Sequence, residues 1–120
     1  MEGDVDNRVL FLFERRYVTQ YRINFRSMPC TPTTSGVRQK IFRFDNRQLR
    51  LVEYSKLMPP HWCERGHIGY MLAGKMEVRF EKEVHTYSAG DGIYLPSGSQ
   101  HKHSARILTH TATLVFVEDI

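Results

Sequence analysis

The sequence predicts an all-β fold, a single small barrel with little helix. Three observations predict it. Short apolar runs, many of them β-branched or alternating, recur roughly every eight to twelve residues between glycine- and proline-rich turns. No segment carries a convincing apolar period of about 3.6 residues. The chain has 120 residues, 41% of them hydrophobic and 25% charged. That is enough for one sizeable core and too little for two.

The elements follow in order. Residues 9–13 (VLFLF) form a short apolar run, and residues 17–25 (YVTQYRINF) alternate imperfectly and read as strand. Residues 28–36 (MPCTPTTSG) hold two prolines, three threonines and a glycine, so they read as a loop. Residues 1–36 are therefore expected to be an arm laid against the core or against a partner subunit. Residues 37–120 are expected to be the barrel. Strands are predicted over 37–44, 48–54, 67–72, 75–81, 84–87, 93–95 and 106–118. Asp45-Asn46 is a turn pair between the first two. Within 48–54, Leu49 and Leu51 fall on one face, and Arg50, Val52 and Tyr54 on the other. Pro59-Pro60 interrupts the ladder.

The formal charge is +4, with the excess before residue 51. Acidic residues interrupt that half, and no block of like charges forms, so a solvated, partly ion-paired sheet surface is expected. No stacking motif of aromatic and basic residues suggests a nucleic-acid partner. Residues 9–13 are too short for a membrane span or the core of a secretory signal. Two cysteines, Cys30 and Cys63, without such a signal fit a cytoplasmic protein with free thiols.

The chemistry concentrates in two blocks, HWCERGHIGYMLAG (61–74) and GDGIYLPSGSQH (90–101). His61, Cys63, His67 and His101 are the candidate metal ligands. Imidazole and thiolate are the donors that hold late first-row metals. Singly, each has a plain reading as a turn residue or a small buried side chain. Together they form a mixed donor set. Side chains two apart on a strand share a face, so His61 and Cys63 can point one way, and His101 and His103 share a parity. Glu53, Glu64, Tyr70, Met71, Tyr94 and His103 are neighbours of possible use, with Glu64 expected as a solvated loop charge and His103 as a partly exposed strand histidine. His85 and His110 have no motif context.

Residues 51–105 resemble the cupin superfamily. Its second motif is glycine, five residues, proline, one residue, glycine, two residues, histidine, three residues, asparagine. Here Gly90, Pro96, Gly98 and His101 fall in register, and Ala105 replaces the asparagine. Its first motif is glycine, five residues, histidine, one residue, histidine, three or four residues, glutamate, six residues, glycine. Here Ser55 replaces the first glycine, His61 and Gly74 match, Cys63 replaces the second histidine and His67 replaces the glutamate. The resemblance implies a single-domain, RmlC-like jelly roll. It also implies one divalent transition metal held by these positions, with His61 and His101 carried over directly. The three histidines resemble the centre of cysteine dioxygenase and related cupin oxygenases, which use iron. Adding a thiolate favours zinc or nickel.

The expected function is that of a small metal-binding cupin, with an oxygenase- or isomerase-like enzyme acting on a small polar molecule as the first reading. A non-catalytic ligand-binding or sensory cupin and a barrel with a purely structural zinc site are the alternatives. A homodimer is expected from the habit of similar small cupins.

Overall fold

The computed structural model describes residues 17–19, 21–32 and 35–120. The apolar run 9–13 of the expected arm lies outside the described residues. Residues 17–25 do not make one strand. They fold back as a ribbon of two short strands, β1 (Val18–Thr19) and β2 (Arg22–Ile23). The stretch expected as loop contributes β3 (Thr31–Pro32), which pairs with the next strand at a sheet edge. Proline fits there because an edge strand leaves one row of N–H groups unpaired.

The barrel is built from β4 (Val37–Phe44), β5 (Arg47–Ser55), β6 (His67–Ala73), β7 (Lys75–Arg79), β8 (Val84–Ser88), β9 (Gly92–Leu95), β10 (Ser104–Ile107) and β11 (Thr111–Asp119). They form a six-stranded sheet, ordered β3-β4-β5-β11-β6-β9, and a three-stranded sheet, ordered β10-β7-β8. All pairings are antiparallel. The predicted all-β jelly roll is what the chain forms. Among the described residues, no helix is long and apolar enough to cross a membrane.

Turn chemistry fixes the register. Asp45 and Asn46 have φ of 46° and 60°. Phe44 pairs directly with Arg47. A two-residue hairpin with positive φ at both central positions matches the right-handed twist of its strands, and Asn and Asp tolerate that region best after glycine. Gly74, with φ of 83°, turns β6 into β7.

β11 is the central strand. It lies between β5 and β6 and pairs with β5 along its whole length, from Thr111 opposite Ser55 to Asp119 opposite Arg47. Its inward residues are Ala112, Leu114, Phe116 and Glu118, all buried. Val52, Met71, Ile93 and Leu95 join them from the same sheet, and Met76, Val78 and Ile107 meet them from the three-stranded sheet. Gly69 is what lets β6 close on β11. A Cβ there would lie 2.2 Å from the Val115 carbonyl oxygen and 2.7 Å from Phe116 Cδ1. The missing side chain leaves room for the Phe116 ring, which packs against His67 with ring centroids 5.0 Å apart.

Leu114 is fully buried in the middle of this layer. Leu114→Ala is expected to lower the unfolding free energy by about 2–5 kcal/mol through lost burial and the cavity left behind. Denaturant titration measures it, and an unchanged midpoint would contradict this packing.

Candidate metal centre

Two irregular segments bring the donors together. After Pro59-Pro60 the chain runs alongside the segment that follows β9. The Cys63 N–H donates to the His103 carbonyl at 2.8 Å, and the His103 N–H donates back to the Cys63 carbonyl at 2.9 Å. This is an isolated antiparallel bridge, which sets the two side chains beside each other. Gly98 N–H donates to the Glu64 carbonyl at 3.0 Å, and Gly66 N–H to Ser97 Oγ at 2.8 Å. Gly66 must be small: a Cβ there would meet Ser97 Oγ at 2.6 Å and the Leu95 carbonyl oxygen at 2.7 Å. His67 then opens β6 opposite Leu95 of β9, with its ring on the inner face.

The outcome is a cluster of Cys63, His67 and His103 whose donor atoms all lie within 4.8 Å of one another. His103 is buried at 4% exposure, not the partly exposed residue expected from its sequence context. His101 does not face this cluster. A 3-10 turn, Ser99–His101, ends the second block and breaks the strand parity assumed for the two histidines. His101 lines a separate recess with Phe80, Glu83, His85 and Tyr94. His61 is exposed but lines the same cavity as the cluster. That cavity has a volume of about 700 Å³.

The ring nitrogens of the two clustered histidines are set by their partners. His67 Nδ1 hydrogen-bonds to Glu118 Oε2, and His103 Nδ1 donates to the His101 carbonyl at 3.1 Å. An ionised carboxylate and a carbonyl only accept, so Nδ1 carries a proton in each ring. Each ring therefore has Nε2 left to act as a donor to a metal. Such outer partners orient metal-binding histidines generally. The Arg65 amide N–H donates to Cys63 Sγ at 3.4 Å. The donor set, one sulfur and two imidazole nitrogens, fits a late first-row transition metal.

Glu118 was not legible as a site residue, yet it organises the site. Its side chain is 2% exposed. Oε1 accepts from Gln48 Nε2 at 2.8 Å and from Arg50 Nε at 3.0 Å. Oε2 accepts from Arg50 Nη2 at 2.9 Å and from His67. Arg50 also donates to Gln39 Oε1 at 3.1 Å and Tyr54 Oη at 3.3 Å, and it stacks over Phe116 at 5.2 Å. A buried charge is tolerated when it is paired and fully hydrogen-bonded, and this one is. The available signal was alternation: Glu118 continues the inward parity of Leu114 and Phe116, as Arg50 does that of Val52 and Tyr54.

The other expected neighbours fall elsewhere. Glu53 pairs with Arg38 at 3.6 Å and is half exposed, and Glu64 is an exposed loop residue. Tyr70 and Tyr94 point outward, and Met71 belongs to the core.

Burial alone would raise the Glu118 pKa, but the hydrogen bonds from His67, Arg50 and Gln48, with the Arg50 charge, hold it well below the usual carboxylate range. Burial pushes the His103 pKa down, against the opposing pull of the His101 carbonyl; nearby His67 and His61 add to the depression. His103 is thus kept neutral, the form that binds metal.

Comparison with known proteins agrees with the fold. The family model described as "Cupin domain" matches residues 50–118. KdgF from Halomonas sp. superposes with a TM-score of 0.64 at 23% identity, covering 80% of this chain and 92% of that one. An RmlC-like cupin from Shewanella frigidimarina gives 0.66 at 11% identity, covering 85% and 91%. The cupin domain of Schizosaccharomyces pombe Cnp3 gives 0.64 at 12% identity, covering 82% and 72%. No curated protein sequence matches the chain. The chain belongs to the cupin domain family.

Ionised Glu118 contributes stability that is complete above its unfolded pKa of about 4.3 and is lost as the pH falls toward the lower folded value. Neutral His103 acts in the same direction, complete above about 6.5 and declining below it. The melting temperature is therefore expected to fall on acidification from pH 7. Glu118→Gln should cost on the order of 3 kcal/mol at pH 7, because it leaves the Arg50 charge buried without a counter-charge. It should also flatten the melting curve's acid limb below about pH 5. An acid limb identical in wild type and variant would contradict this assignment.

Proposed function

We propose that this protein is a metal-dependent cupin that holds one divalent transition metal through Cys63, His67 and His103 and acts on a small polar molecule in the adjoining cavity. The observation that carries the reading is the pair of imidazoles, each with Nδ1 engaged and Nε2 left for a metal, beside a thiol. Iron, zinc and nickel all suit such donors, and the sulfur favours zinc or nickel. Three protein donors leave a coordination position for water or substrate, the pattern of a catalytic site, whereas a structural site is closed by four. The cavity beside the cluster supports that choice. His61 lines the same cavity and is the candidate for a fourth donor in the structural-zinc alternative.

Bound there, the metal would polarise a substrate oxygen or lower the pKa of a bound water. The chain's own residues supply the rest. Glu118 holds the proton on His67 Nδ1 and keeps the ring in one orientation. Arg50 balances the Glu118 charge, so the buried pair adds no net charge beside the cluster. Met76, Val78, Leu95 and Phe116 make the inner wall apolar and limit water. Arg43 and Arg65 also line the cavity, which suits a substrate bearing negative charge. Cys30 and Cys63 are free thiols, which supports a reducing, cytoplasmic setting. The cavity favours a small-molecule partner.

Elemental analysis of protein purified without a metal-affinity tag tests the assignment. Wild type and His101→Ala are expected to carry about one metal per chain, and Cys63→Ala, His67→Ala and His103→Ala to lose most of it. Full loading of His103→Ala, or loss of metal from His101→Ala, would overturn it.

A further inference from the structure

The two sheets stay open along one seam, and a second hollow lies there. β8 ends the three-stranded sheet and β9 ends the six-stranded one, and these two edges do not pair with each other. On β8, His85 and Tyr87 share a face. Both line a recess of about 400 Å³, with Tyr94 of β9 on its other side. That volume is within the range of small-molecule sites. The hairpin tip between β7 and β8 adds Phe80, Glu81, Lys82 and Glu83, and the 3-10 turn adds His101. Phe80 stands between this recess and the metal cluster. Its ring centroid lies 5.7 Å from that of His85 and 6.2 Å from that of His103.

The recess and the main cavity differ in sign. Arg43 and Arg65 line the cavity. The recess instead carries two carboxylates, Glu81 and Glu83, against one ammonium, Lys82. Tyr87 reports the local field. Burial pushes its phenol pKa up, and the charges of Asp91 and Glu83 push it further. A field that opposes a phenolate attracts a cation. A bare metal ion needs several donor atoms converging on one point. Among the described residues, only Cys63, His67 and His103 converge in that way. What the recess offers beside its carboxylates is aromatic surface from Phe80, Tyr87 and Tyr94. Tyr94 is 72% exposed, so its ring is open to a ligand. Aromatic rings with carboxylates beside them suit a cation that carries its own apolar coat.

We propose that this recess binds a small quaternary ammonium ion, its methyl groups against the rings of Phe80, Tyr87 and Tyr94 and its charge balanced by Glu81 and Glu83. The proposal is independent of the metal reading, because none of these side chains belongs to the Cys63, His67 and His103 cluster. It gives the protein two hollows of opposite preference, one suited to an anion and one to an organic cation.

Titration of choline chloride into the isotope-labelled full chain at constant ionic strength, followed by two-dimensional amide NMR, tests the proposal. Saturable shifts are expected at residues 80–87 and 94–101, with a dissociation constant of about 1 mM. The neutral isostere 3,3-dimethylbutan-1-ol, which has the same shape without the charge, should bind about tenfold more weakly. Glu83→Gln and Tyr94→Ala should each weaken choline binding about threefold, and together about tenfold. Glu53→Gln removes the same charge from the other sheet, where Glu53 pairs with Arg38, and should bind choline like wild type. Far-UV circular dichroism checks that the variants stay folded. Absence of saturable shifts up to about 50 mM choline, well above the expected constant, would overturn the proposal. So would shifts confined to residues outside the recess, equal binding of the neutral isostere, or wild-type affinity in the folded double variant.

Discussion

The buried Glu118 carboxylate is the constraint around which the site is arranged. It is ionised inside an apolar core, and such a charge survives only when its oxygens are filled by donors. Gln48, Arg50 and His67 fill them. Arg50 brings Gln39, Tyr54 and Phe116 with it. One carboxylate on β11 thereby ties together side chains from β4, β5 and β6, and it decides which nitrogen of His67 is left for a ligand. The superfamily motif expects a glutamate at position 67. Here a histidine stands at that position, and a carboxylate on the neighbouring strand stands behind it.

Central placement of β11 makes this possible. A strand paired on both sides keeps its register, and a shift of one residue would turn Glu118 to solvent and bring Val117 inward. Pairing with β5 over nine positions, from Thr111 to Asp119, resists that shift. Period-two alternation of the same strand separates the inner chemistry from the outer face. Site and surface are thus set by one hydrogen-bond register, and Gly69 allows it by leaving space for Phe116.

Much of the fold was legible because its signals are local. Alternation in 48–54 and 75–81, the Asp45-Asn46 turn and the spacing of Gly90, Pro96 and Gly98 each depend on a few adjacent residues. Cys63 and His67 were legible for the same reason, as donor residues at motif positions. His103 was obscured because strand parity was extended through Ser99–His101, where a 3-10 turn redirects the chain. Glu118 was harder still. It is 51 residues from His67, and only the register of β11 against β6 brings them together. A charge at the end of an apolar run reads as a strand terminus until the parity of Leu114 and Phe116 is carried one step further.

The central claim is that a thiolate and two imidazoles, fixed from behind, converge on one metal. X-ray absorption spectroscopy at the edge of the metal the protein carries reads that shell directly. The account predicts one sulfur at about 2.3 Å and at least two nitrogens at about 2.0–2.1 Å, distances typical of zinc. The sulfur should vanish in Cys63→Ser, and one imidazole in His103→Ala. A wild-type shell of nitrogen and oxygen alone, or an imidazole count unchanged in His103→Ala, would contradict it.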